Sequence, residues 1–237
     1  MTQTWLITGA NRGIGLEFVR QLAAAGETVI ATARNPEQAD ALQAIKADYP
    51  TVSLVALDLE DHASIKTMAA SLGDVAIDVL INNAGLYGGS WDNASHRQSA
   101  TSMDYDLWEQ IMRVNVMAPY AVIQSLLPNL MRGARKLVVN MSSDLGSIAN
   151  NLQGQSYAYR SSKAALNMVS KGLSAELGAE GVTVIAMAPG WTQTDLGGQN
   201  AQWPVADSVA NQLRVIGSIS AADNGRFVNL LGETVPW

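Results

Sequence analysis

The sequence predicts an α/β fold, a doubly wound parallel sheet with helices on both faces, formed by the whole chain 1–237 as one domain. Short apolar runs alternate with longer helical stretches from the first residues onward. Repeated strand–helix units of this length specify parallel strands covered on both sides. No internal repeat, linker or shift in charge divides the 237 residues.

Thr4-Trp5-Leu6-Ile7-Thr8 reads as a buried strand. The segment 14–25 carries Leu16, Val19, Leu22 and Ala23 at helical spacing, and Gly26 follows as its C-cap. Residues 28–32 form a second strand, after which Asn35-Pro36 opens a helix in the cap-then-first-position arrangement. A third strand spans 52–57 and a fourth 76–81, with a polar–apolar helix at 61–72 between them. Residues 86–103 break the rhythm with Gly88-Gly89, Ser90 and Asn93, in a loop too long for a mere connection. A helix at 104–130, a strand at 136–141, a long helix at 157–179 and a strand at 182–188 restore it. A second irregular stretch at 189–203, a helix near 205–217 and a short strand near 226–230 follow. Ligands in such sheets sit beyond the carboxyl ends of the strands, so loops 86–103 and 189–203 are expected to line one crevice.

Composition narrows the function classes. Hydrophobic residues make up 48% and charged residues 15%, with a formal net charge of −6. Charged residues average about 25% in soluble domains, so this chain has material for a large core. The acidic balance argues against sequence-independent nucleic-acid binding, which needs basic groups to replace phosphate counterions. The absence of cysteine removes thiolate catalysis, cysteine-based zinc sites and iron–sulfur ligation together, and fits a reducing compartment. No apolar run approaches the roughly 18 residues needed to span a bilayer, and no positive leader precedes the first apolar stretch. A cytoplasmic protein is expected, with neither nucleic acid nor membrane as partner.

Thr8-Gly9-Ala10-Asn11-Arg12-Gly13-Ile14-Gly15 joins the first strand to the first helix. Gly9 permits the tight turn, Gly13 lets the backbone approach a pyrophosphate, and Gly15 lets the helix pack closely on the sheet. Free N–H groups at the helix start then face the anion. With a strand before it and a helix after it, the turn reads as a Rossmann-type dinucleotide site, and Gly9, Asn11, Arg12, Gly13, Ile14 and Gly15 are its cofactor-facing positions. Such a site usually carries an acid at the end of the second strand, where it binds the ribose 2′-hydroxyl. Here that position holds Ala33-Arg34. A carboxylate would repel a 2′-phosphate, whereas a guanidinium grips it through two hydrogen bonds. Arg12 is a second candidate cation. Two arginines and no acid tilt the choice toward NADP(H), although Arg34 also fits a solvated loop position.

Tyr159-Arg160-Ser161-Ser162-Lys163 sets tyrosine and lysine four apart, on one face of a helix. Tyr157, six residues before Lys163, lies about 240° away round the helix and is set aside. A phenol has an ordinary pKa near 10, so exchanging a proton near neutrality asks for a fall of about three units, roughly 4 kcal/mol. An ammonium one turn away is expected to supply part of that fall, and the positive charge of an oxidised nicotinamide more.

The glycine turn, Asp58-Leu59, Asn82-Asn83-Ala84-Gly85, Asn115, Ser142-Ser143, Tyr159 with Lys163, and Pro189-Gly190 stand in an order and at spacings that resemble the short-chain dehydrogenase/reductase family over nearly the whole chain. The resemblance implies that Asp58 and Leu59 contact the adenine and that Asn83, Ala84 and Gly85 brace the cofactor. It implies that Asn115 holds a helix irregularity and a water for proton relay, and that Ser143, rather than Ser142, hydrogen-bonds the substrate carbonyl. Tyr159 would be the acid/base, and Lys163 would hold the nicotinamide ribose and lower the tyrosine pKa. Thr192 and Thr194, after Pro189 and Gly190, would anchor the carboxamide. Within the family the chain is most similar to the C-factor and sniffer-like carbonyl reductases, in Asn140-Met141-Ser142-Ser143, Tyr157-Ala158-Tyr159-Arg160, Ala165-Leu166-Asn167, Pro189-Gly190-Trp191 and Gly225-Arg226-Phe227.

The chain departs from the family where Ser143 and Tyr159 stand 16 apart instead of about 13, which adds residues to the loop on the substrate side. Asp144 beside the serine is read as turned to solvent, without a role. His62 and His96 have no partners at metal-ligand spacing, so no metal is expected. Trp91, Trp191 and Trp203 serve either as an apolar lid or as loop anchors. Met103, Met112, Met117 and Met131 are read as packing residues. The expected activity is NADPH-dependent reduction of an aldehyde or ketone, a small-molecule carbonyl, with Tyr159 as general acid. The alternative is a nucleotide-binding signalling or sensor protein of the C-factor type. An epimerase of sugar nucleotides would need a separate substrate domain, and 48 residues follow Pro189. Helices 104–130 and 157–179 carry long apolar faces that relatives pair across a two-fold axis, so a homodimer or homotetramer is expected.

Overall fold

Alternate side chains of each strand point to opposite sides of a sheet, and both sides of this one are apolar. Trp5 and Ile7 of strand β1 (Thr4–Ile7) face one core, and Leu6 between them faces the other. A computed structural model describes residues 2–90 and 95–237. Trp91 and Asn93, two residues of the first loop, lie outside the described residues.

Among the described residues the main sheet has seven parallel strands in the order β3-β2-β1-β4-β7-β8-β9. The other strands are β2 (Thr28–Ala33), β3 (Val52–Ala56), β4 (Val79–Asn82), β7 (Leu137–Met141), β8 (Thr183–Ala188) and β9 (Phe227–Asn229). Helices α1 (Gly13–Ala24), α2 (Asp40–Asp48) and α7 (Val205–Ser218) cover one face through Phe18, Leu22, Leu42, Val209 and Ile216. Helices α3 (His62–Leu72), α5 (Ala118–Arg132) and α6 (Tyr157–Leu177) cover the other through Ile65, Val122, Leu126, Leu130 and Leu177. Each fully buried side chain of this kind contributes about 1.5–3 kcal/mol. The doubly wound order reverses at β1 and β4, which opens a crevice beyond their carboxyl ends.

Three predicted elements are corrected. The strand expected at 76–81 begins only at Val79, because Ile77 donates its N–H to Asn129 of α5 (3.1 Å) and the Asp78 carboxylate accepts from the N–H groups of Thr4 and Ala134 (2.8 Å each). Asn35 caps no helix. Pro36 instead starts a single tight turn closed by Ala39 N–H on the Pro36 carbonyl, and α2 begins at Asp40. The stretch 104–130 is one α-helical rod only in outline: α4 (Tyr105–Met112) runs into a π-turn at Arg113–Met117, then into α5. Pro119 has no N–H to give the Asn115 carbonyl four residues earlier, and its ring would crowd that oxygen. One extra residue per turn resolves the conflict, and Ala118 N–H reaches back to Arg113. The irregularity expected at Asn115 is therefore present. Loop 86–103 also contains order, a two-stranded antiparallel ribbon of β5 (Gln98–Ser99) and β6 (Ser102–Met103).

Candidate active site

The turn from β1 to α1 is built by close approach. Gly9 has a φ of +65°, and a Cβ there would lie 2.9 Å from Ala84 Cα. A Cβ on Gly15 would sit 2.3 Å from the Gly9 carbonyl oxygen and 2.5 Å from Asn83 Nδ2. Asn83 uses that amide to hold the turn, donating to the carbonyls of Thr8 (2.9 Å) and Gly9 (3.1 Å), while Ala84 N–H donates to the Thr8 hydroxyl (3.1 Å). Asn83 and Ala84 thus brace the turn from the end of β4.

Helix α1 starts with no side-chain cap and no acidic residue in its first turn. Its first N–H groups face a crevice of about 1440 Å³. The predicted cofactor positions from Gly9 to Thr194 line this crevice, together with Ser143, Tyr159 and Lys163. Uncapped donors, glycines whose missing Cβ atoms keep the floor open, and a volume above that of an ordinary small-ligand pocket fit a dinucleotide. Arg34 is exposed at the end of β2 and has no carboxylate partner among the described residues. Arg12 instead pairs with Asp195 (2.8 Å), so loop 189–203 reaches over the glycine turn. Asp58 steadies its own loop by accepting from Glu60 N–H (3.0 Å), with Leu59 beside it. Gly85 leaves room for its neighbours: a Cβ there would lie 3.5 Å from Lys163 Nζ. The Thr192 hydroxyl is shared among the carbonyls of Pro189 and Gly190 and the Ser208 hydroxyl, and Thr194 accepts from Gly197 N–H.

Three side chains meet at the inner end. Tyr159 and Lys163 are buried on α6, with Nζ 5.6 Å from the centre of the phenol ring. Lys163 donates to the Met141 carbonyl at the end of β7 (2.7 Å). Ser143, two residues on, lines the same wall and acts on the Tyr159 phenol. Burial pushes that phenol up to about 12, Ser143 opposing and the neighbouring Tyr87 adding to the rise. Burial pushes Lys163 down to about 8. In the protein alone the phenol is raised by loss of hydration, and Lys163 is not among the groups that lower it.

Asn115 does not line the crevice. Its side chain pairs with both backbone groups of Leu86 (2.7 and 2.9 Å) and donates to Ser162 (3.0 Å), which pins the start of loop 86–103. Tyr157 is exposed and absent from the crevice wall. Asp144 is exposed, as expected, at the edge of the wall beside Ser143, where partial loss of hydration pushes its carboxyl above the usual value. Trp191 forms part of the wall and donates to the Gly197 carbonyl (2.7 Å). Trp203 anchors, packing 3.0 Å from the position a Gly190 Cβ would take. Three residues that sequence reasoning missed, Tyr87, Gln98 and Ser156, surround Tyr159. Their partners lie up to 69 residues away, and no local motif marks them.

The family model for short chain dehydrogenases matches residues 3–204. The chain belongs to the short-chain dehydrogenase family. This short-chain dehydrogenase is 39% identical to C-signal of Myxococcus xanthus over 173 residues, covering 73% of this chain and all of that protein. The carbonyl reductase Sniffer of D. melanogaster superposes with a TM-score of 0.92 at 30% identity, over 100% of both chains. An NADPH-bound carbonyl reductase from chicken fatty liver gives 0.90 at 34% identity, over 100% of this chain and 99% of that one. No helix among the described residues is long and apolar enough to cross a membrane.

Proposed function

We propose that this short-chain dehydrogenase reduces aldehydes or ketones with NADPH, and that Tyr159 is the general acid. The observation that carries this reading is the meeting of Ser143, Tyr159 and Lys163 at the inner end of the crevice that starts at the glycine turn. Bound NADPH supplies the hydride. The chain supplies everything else. Ser143 holds the carbonyl oxygen and stabilises the charge that develops there. Tyr159, with a pKa near 12, keeps its proton throughout the neutral range, which is the state needed to protonate that oxygen. Lys163, near 8, exchanges protons at working pH and sits where it can bind the ribose and help restore the phenol. Asn115, in the π-turn, holds Leu86 and Ser162 and would place a relay water behind Lys163. Gly9, Asn11, Gly13, Ile14 and Gly15 receive the pyrophosphate; Asp58 and Leu59 the adenine; Gly85, Pro189, Gly190, Thr192 and Thr194 the nicotinamide end. Arg34, without a carboxylate partner among the described residues, selects the 2′-phosphate.

Following NADPH oxidation over a panel of aldehydes and ketones tests the reading. Tyr159→Phe should lower kcat by about 10²–10⁴-fold and leave NADPH affinity unchanged. A Tyr159→Phe protein that reduces carbonyls at the wild-type rate would sink it.

The likeness to C-signal favours a second reading, a nucleotide-binding signalling protein with little turnover. A protein that binds NADPH but turns over none of the panel would establish it. For assembly we propose a two-fold dimer through helices α4, α5 and α6 and the π-turn between the first two, which leave Tyr105, Met117, Tyr120 and Met168 exposed on this chain. Sedimentation at micromolar concentration should give at least a dimer, and a monomer there would exclude it.

A further inference from the structure

We infer that Gln98 is a positioning residue that couples loop 86–103 to the catalytic tyrosine. The inference rests on the role of Tyr159 proposed above. Helix α6 begins abnormally. Its N-cap residue Ser156 has a φ of +50°, follows Gln155 at +58°, and makes no side-chain cap to the helix. Left-handed backbone at two successive residues without glycine is costly and persists only where surroundings enforce it. The Ser156 hydroxyl is engaged elsewhere, 2.7 Å from the Tyr87 phenol oxygen.

An uncapped helix start leaves first-turn N–H groups without partners. Gln98 supplies the missing acceptor from 61 residues away. Its Oε1 receives the Tyr159 N–H at 2.9 Å, the third position of the helix, where a cap side chain ordinarily accepts. The other half of the same amide donates to the Tyr87 carbonyl at 2.7 Å. One partner is a donor and the other an acceptor, so the amide has a single satisfying orientation. Gln98 is wholly buried, where an unpaired amide would be expensive.

Gln98 is also the first residue of the β5–β6 ribbon, whose base is closed by the ion pair of Arg97 with Asp104 at the start of α4. Tyr87 in turn sets its ring edge-on to that of Tyr159, with centroids 5.1 Å apart. The phenol is thus located twice, through its backbone by Gln98 and through its ring by Tyr87. Both constraints originate in loop 86–103. Displacement of that loop moves the acid relative to Ser143 with no group of the reaction being altered.

The test compares Gln98→Met, which keeps length and removes both hydrogen bonds, with Gln98→Glu, which keeps the acceptor for Tyr159. Steady-state rates are measured in both directions across pH, with NADPH affinity by fluorescence titration and folding by thermal melting. Gln98→Met should lose about 10- to 100-fold in kcat, because small misplacement of a reacting group is that costly. NADPH affinity should stay within threefold of wild type, and Gln98→Glu should fall between the two. Displacement of the phenol from Ser143 should move the rising limb of alcohol oxidation to higher pH, since Ser143 is the group that lowers the phenol. A kcat within threefold of wild type overturns the proposal, as does a loss of kcat and NADPH affinity together with an unmoved limb. If Gln98→Met does not fold, Gln98→Glu with Tyr87→Phe must show the kcat loss and limb shift; wild-type behaviour there overturns it equally. Tyr159→Phe separates this proposal from its foundation: full activity in that variant removes the acid itself, whereas an inactive Tyr159→Phe beside an undisturbed Gln98→Met removes only the positioning.

Discussion

Replacing Lys163 by methionine should change how the stability of the cofactor-free protein responds to pH. Lys163 is buried, and its ammonium is pushed from 10.5 down to about 8. A lysine whose folded pKa is depressed binds its proton more weakly in the native state than in the unfolded chain. The unfolded chain therefore carries more protons between pH 8 and 10.5, and stability rises with pH across that window. At pH 7 the penalty for keeping the charge buried is about 3 kcal/mol, and by pH 10 it has fallen below about 1 kcal/mol. Methionine keeps the length of the side chain and does not titrate. Its stability relative to wild type should accordingly decline by about 2 kcal/mol between pH 7 and pH 10, whatever constant cost follows from leaving the Met141 carbonyl unpaired. Urea unfolding of both proteins at pH 7, 8, 9 and 10 measures this, and the difference cancels every other titrating group. A stability difference that stays flat over the range would mean that Lys163 titrates at its ordinary value, and the burial argument would fail.

Two further outcomes follow from single positions. Arg34→Ala should weaken NADPH binding by roughly 10- to 100-fold, the loss of a charged hydrogen-bonded contact at an exposed site, and leave NADH unchanged; equal losses for the two nucleotides in a fluorescence titration would remove Arg34 from the 2′-phosphate. Gly15→Ala should cost about 1–3 kcal/mol in thermal or urea unfolding, because its Cβ would strike the Gly9 carbonyl and Asn83. Gly172→Ala in the exposed middle of α6, where a Cβ meets nothing within 4 Å, should instead be neutral or gain up to about 1 kcal/mol. Equal behaviour of the two glycine variants would refute the close-approach reading.

How far the sequence could be read depended on the distance over which each residue acts. Strands such as 4–8 and 182–188 announced themselves because their neighbours cover both faces, so the apolar run itself carries the information. The glycine turn was legible for the same reason: Gly9 and Gly15 answer contacts within the turn or at the end of a strand that the fold class already places beside it. Asp78 hid the start of β4, since its partners at Thr4 and Ala134 come from other elements. The π-turn was only half legible. Pro119 disturbs the carbonyl four residues back, but Pro128 stands inside α5 with no π-turn, so proline alone does not place it. The pKa direction of Tyr159 was not legible, because it is decided by the depth of burial and by Tyr87, neither of which a tyrosine–lysine spacing contains.

One face of α6 explains how the acid is kept in register. Lys163, Asn167, Ser170 and Ser174 are buried at steps of three or four, where a helix against a sheet ordinarily places apolar side chains. Ser174 bonds the Lys171 carbonyl of its own helix, and the other three have fixed partners elsewhere. Lys163 donates to Met141, Asn167 accepts from Ser142 at 2.6 Å and donates to Gly146 at 3.2 Å, and Ser170 accepts from Asn140 at 2.9 Å. Asn140 itself accepts from Asn82, its registered neighbour on β4. An apolar face would tolerate a helix shifted along its axis, since one leucine pocket resembles the next. This face does not. A slip of one turn would part Lys163, Asn167 and Ser170 from their partners on other elements, at about 1–3 kcal/mol each. The polar face costs desolvation and contributes little net stability, but it makes every other position of Tyr159 relative to Ser143 worse by several times the energy of one hydrogen bond.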